Sequence, residues 1–76
     1  MTADDIAKFE KLAEDAYTKM YDAPHNRAKE CYDDAMEYLA EAIKLAERDK
    51  LAAAADRLKA RKQHIYDVYT HQFRGA

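Results

Sequence analysis

The alternation of hydrophobic and polar positions is most regular between Ala28 and Ala46. Two apolar series interleave there, Ala28, Cys31, Ala35, Tyr38, Ala42, Leu45 and Tyr32, Met36, Leu39, Ile43, Ala46. Each advances by alternating steps of three and four, the spacing that gathers residues on one stripe of an α-helix. One stripe suffices for a helix lying on a surface, whereas two adjacent stripes make a face wide enough for two neighbours. The pattern predicts a middle helix of three.

Upstream, Ile6, Phe9, Ala13, Ala16, Met20 and Ala23 form a three-four seam flanked by Leu12 and Tyr17. Thr2 followed by Asp5 resembles a capping box, and Asp4 and Asp5 put negative charge where first-turn N–H groups point. Pro24 stops this helix near Asp22 and opens the next, with Asp22 or Asn26 as its cap. The second boundary is less marked, because Glu47-Arg48-Asp49-Lys50 contains neither glycine nor proline. Carrying the phase of the middle helix across it lands on Asp49, Asp56 and Lys59 or on Lys50, and beyond it the apolar series restarts as Leu51, Ala54, Leu58, Ile65, Val68 and Phe73, with Ala55 and Tyr69 alongside. A tight turn is expected there, Asp49 capping a third helix that ends near Arg74 and Gly75. The rival reading keeps residues 26–73 as one helix paired with a second copy.

The expected fold is thus all-α, an antiparallel three-helix bundle running up-down-up as one domain over residues 1–76, with helices over 3–22, 25–47 and 50–74. Its predicted core is Ile6, Phe9, Met20, Tyr32, Met36, Leu39, Ile43, Leu45, Leu51, Leu58, Ile65, Val68 and Tyr69. One glycine and one proline in 76 residues agree with an all-helical chain. The single cysteine, Cys31, has no internal disulfide partner and sits on an apolar stripe, as a small buried hydrophobe would. With no run near the roughly 20 apolar residues that span a bilayer and no basic-then-apolar leader, a soluble cytoplasmic protein is expected.

Charge changes the picture more than composition does. The net charge is −2, yet residues 1–50 carry eight Lys/Arg against thirteen Asp/Glu and residues 51–76 carry five against two. A basic last helix beside an acidic remainder points to complementarity between helices, and the small negative total argues against nucleic acid as a partner. The cluster Arg57, Lys59, Arg61 and Lys62 is the one stretch suited to phosphate, but at 100° per residue it scatters around the helix.

Chemistry-bearing motifs are few. There is no glycine-rich phosphate loop, no paired-cysteine spacing and no serine, so no catalysis and no cofactor are expected. His64, Asp67 and His71 share one stripe in the manner of metal ligands, with only His25 left to add a fourth nitrogen, and the stripe points away from the apolar face. The six tyrosines are unusual; most lie on or beside seams, where the ring packs and the hydroxyl stays at the rim, and several rings sharing a groove would mark a binding surface. One layer is not apolar: between Leu58 and Ile65 the inward face of the last helix offers only Arg61 and Lys62, opposite Ala13, Ala16 and Ala35. Two readings follow, stems covering Ala35 and Tyr38 with charges reaching Asp34 or Glu37, or a shallow notch walled by Tyr38 and floored by alanines in which Arg61 receives an acidic or carboxylate-bearing partner peptide.

The series Tyr32-x-x-Ala35-x-x-Tyr38 followed by Ala42-Ile43-Lys44, the Asp49-Lys50 start and a tyrosine late in the last helix resemble MIT domains, three-helix modules that bind helical tails of partner proteins. The same Tyr/Ala spacing is similar to tetratricopeptide-type hairpins; the likeness covers about a third of the chain. Departures are a first turn, Asp22-Ala23-Pro24-His25-Asn26, without the glycine often found there in MIT domains, and a middle helix longer than a tetratricopeptide repeat allows. The resemblance implies peptide binding in a groove beside the last helix. The expected function is a small non-catalytic protein–protein interaction module, monomeric or homodimeric, with Arg61, Lys62, Tyr38 and Ala35 as the candidate contact residues. The alternatives are a homodimeric assembly protein and a nucleic-acid- or metal-binding accessory using the basic, His-containing last helix.

Overall fold

The computed structural model describes residues 2–71, the side chains of residues 2, 3, 25 and 26 excepted. It is an all-α three-helix bundle: α1 spans Thr2–Asp22, α2 His25–Arg48 and α3 Ala52–Tyr69. None of these helices is long and apolar enough to cross a membrane. The expected capping by Thr2 and Asn26, any contribution of His25, and the expected helix end at Phe73, Arg74 and Gly75 lie outside the described residues and side chains.

Both turns are built without side-chain caps. Pro24, with φ −56° and ψ 151°, occupies the N-cap position of α2, one residue earlier than the first-turn site where proline is commonest. Its carbonyl accepts the N–H groups of Arg27 and Ala28 at 2.8 and 3.1 Å, so the helix starts on backbone bonds alone. The Asp49 cap expected for α3 is corrected. Asp49 is the C-cap of α2, and Leu51 is the N-cap of α3 with no side-chain bond. Between them Lys50 takes φ 60°, the left-handed conformation that glycine usually supplies. Leu51 N–H then reaches the Ala46 carbonyl at 2.8 Å and Lys50 N–H the Glu47 carbonyl at 3.1 Å, the paired bonds of a Schellman ending. Residues 26–73 are therefore not one helix, because the chain reverses at Lys50.

The core corrects the expected one in a consistent direction. Ile6, Met20, Leu39, Ile43, Leu58, Ile65 and Tyr69 are buried as expected, but Phe9, Tyr32, Met36, Leu45 and Val68 are only half-buried. Leu51 is 40% exposed, since it lies in the turn. In their place stand alanines: Ala13, Ala16, Ala28, Ala35, Ala42, Ala46 and Ala55 are all buried. Small side chains let neighbouring helices approach closely, and the rings of Phe9 and Tyr32 stay half-buried. α2 also contacts α3, over a shorter interface than its interface with α1. Cys31 is half-buried beside the cluster of Met20, Ala28 and Tyr69.

Candidate functional site

The four residues picked from the sequence do not form one site. Ala35, on α2, is fully buried. Tyr38 lies on the α1/α2 flank, its ring centroid 6.4 Å from that of Phe9. With Leu12, Asp15, Ala16, Lys19, Cys31 and Asp34 it lines a pit of about 130 Å³. Arg61 and Lys62 leave α3 in different directions, because successive residues on a helix are rotated by about 100°.

Arg61 turns towards α1. Its Nε donates to Glu14 Oε2 at 2.7 Å and its Nη2 to Glu14 Oε1 at 2.6 Å, a two-pronged match of planar guanidinium and carboxylate. The same guanidinium lies 5.0 Å from the centre of the Tyr17 ring. The hydrogen bond with Glu14 holds the Arg61 pKa above its ordinary value. Asp34 and Glu37, the acids expected to face Arg61, belong to α2 and are not its partners. One turn earlier Arg57 pairs with Glu10, and one turn later Tyr17 meets His64 edge-on at 6.3 Å. All three links join residues 47 positions apart, so α1 and α3 run parallel in fixed register. The seam continues along α1, where the hydroxyls of Tyr17 and Tyr21 are 3.2 Å apart. Burial, with this hydrogen bond, pushes the Tyr17 phenol up to about 12.

Lys62 turns the other way, into a groove between α2 and α3 of about 470 Å³. Tyr32, Met36 and Ile43 come to it from α2, and Lys59, Lys62, Gln63 and Tyr66 from α3. The α3 residues follow a spacing near three and four, and from Lys59 to Tyr66 they extend roughly 10 Å along the axis, or two helical turns. Most of the polar groups are engaged. Lys59 Nζ bonds Glu47 Oε2 at 2.9 Å, which raises its pKa, and Gln63 Nε2 donates to Asp67 Oδ1 at 3.0 Å. The Tyr32 ring stacks on Tyr69 with centroids 4.1 Å apart and planes at 16°. Lys62 is the exception: it is half-buried, and no carboxylate among the described residues pairs with it. Tyr66 is 45% exposed at the same rim.

His64, Asp67 and His71 line a shallow face of α3 with Val68. Among the described residues no three His, Cys, Asp or Glu side chains gather closely enough to hold a metal ion. Of the basic cluster, Arg57, Lys59 and Arg61 are consumed by Glu10, Glu47 and Glu14. No family model, no curated protein and no solved structure matches the chain.

Proposed function

We propose that the protein is a non-catalytic protein–protein interaction module whose docking surface is the α2/α3 groove, and that its occupant is an acidic amphipathic helix of a partner protein. One observation carries this reading: the half-buried, unpaired Lys62 stands at the wall of a groove whose other charged lining residue is also a lysine. Met36, Ile43 and the face of Tyr32 offer apolar contact to residues spaced i, i+3/i+4 and i+7 on an incoming helix, and Lys62 offers a carboxylate partner at mid-groove. The groove's two-turn length sets the size of the contact, so binding rests on a short motif. Phosphate contact by the basic cluster is less favoured, because three of its four cations already hold carboxylates of this chain.

A designed peptide tests it directly. A helix with leucines at the anchor spacing and glutamates opposite Lys62 should bind the protein, by fluorescence anisotropy at low salt, more tightly than the same helix with lysines at those positions. Lys62→Glu should invert that preference. Equal binding of the two peptides to both proteins would remove the groove as a charge-selective site.

A further inference from the structure

The hairpin of α1 and α2 and the single helix α3 are held to the bundle in different ways. The hairpin buries Ala13 and Ala16 of α1 and Ala28, Ala35, Ala42 and Ala46 of α2. α3 meets α1 through charged and aromatic edges, Arg57 with Glu10, Arg61 with Glu14 and His64 with Tyr17, for which water competes. Its tie to the hairpin in the chain is the Asp49–Leu51 turn, where Lys50 sits at φ 60° with a side chain that disfavours that conformation. Opening the turn relieves Lys50, yet it uncovers Leu39, Leu58 and Ile65, each with no exposed surface in the closed fold. A released α3 therefore needs a slot of the same shape, with two glutamates four residues apart and a ring for Tyr69 to stack on. Another copy of this chain carries that slot.

We propose that α3 is an exchangeable arm and that two copies of the chain form a reciprocal dimer, each inserting its α3 into the hairpin of the other. Every α3 contact is recovered across the pair, so the balance between closed monomer and dimer is set by the hinge and by concentration; short strained hinges are the usual origin of such exchange. This goes beyond the peptide-docking reading and does not depend on it.

The test is refolding at millimolar concentration followed by size-exclusion chromatography with light scattering. The wild-type chain should give a dimer that returns slowly to monomer on dilution. Lys50→Gly, which removes the left-handed penalty from both hinges, should lower the dimerisation constant by about thirtyfold, roughly fivefold per hinge. Inserting glycines after Lys50 should also return the protein to monomer, whereas Lys62→Glu should leave the dimer intact. Circular dichroism confirms that each variant is folded. A chain that stays monomeric after concentrated refolding overturns the proposal. So does a dimer insensitive to both hinge changes, and one lost only with Lys62→Glu is a groove contact and overturns it equally.

Discussion

Replacing Arg61 with methionine isolates the clamp between α1 and α3. The Arg61 side chain keeps 35% of its exposure and Glu14 keeps 39%, so solvent screens the pair and it contributes about 0.5–1 kcal/mol, with two-pronged geometry favouring the upper end. The guanidinium over Tyr17 adds about 0.5–1 kcal/mol. Methionine retains the apolar stem, so packing against the bundle is largely kept. Arg61→Met should then cost about 1–2 kcal/mol, lowering the melting temperature by about 4–8 °C per kcal/mol for a domain of this size. A double-mutant cycle with Glu14→Gln, read by urea unfolding, should return a coupling of about 0.5–1 kcal/mol at low salt and much less at molar salt, where screening acts over about 3 Å. The Tyr17 contribution should persist in salt. A coupling indistinguishable from zero at low salt, or unchanged at high salt, would refute the clamp as an energetic link.

Three further outcomes follow from the same structure. Leu39→Ala empties a fully buried site and should cost about 2–5 kcal/mol, a large share of what a domain this small holds; a melting curve like the parent's would show that the site is not core. Lys50→Gly should raise monomer stability by about 1 kcal/mol in urea unfolding, since glycine adopts φ 60° without a side-chain clash, and an unchanged or lower stability would mean that Lys50 carries no strain. Tyr17 has its folded pKa raised above the unfolded value of 10.0 to about 12, so its contribution is complete below pH 10 and is lost as pH rises from about 10 to 12. In an ultraviolet titration the parent should show tyrosine ionisation near pH 12 that Tyr17→Phe lacks, and an unchanged titration at that end would refute the raised value.

The helix count, their order and most of their limits were legible because three-four spacing depends only on the backbone period. The inner wall was less so. Ala13, Ala35 and Ala42 carry too little side chain to announce a core on hydropathy, yet their size is what lets α1 and α2 close together, pushing Phe9, Met36 and Tyr32 to the rim. The turn at Lys50 was placed correctly by the break in phase but given the wrong cap, because a Schellman ending with lysine leaves no glycine to read. Splitting Arg61 from Lys62 required knowing on which side of α3 the helix α1 lies, which the expected up-down-up order leaves open. A signal was present: Glu10 and Glu14 are four apart, and so are Arg57 and Arg61. Of the four expected contact residues, Lys62 alone lines the α2/α3 groove.

The constant spacing of 47 between partners on α1 and α3 acts as a vernier on the assembly of the bundle. Slide α3 by one turn so that Glu10 faces Arg61, and Glu14 is set against Ile65 while Arg57 is set against Ile6. One ion pair survives of two, and two charges are driven into the apolar layer. A slip of one turn the other way leaves Glu14 with Arg57 and strands both Glu10 and Arg61. The acid–base vernier tells these registers apart at the rim, so the choice among neighbouring alignments is made by groups that contribute little to the depth of the folded minimum.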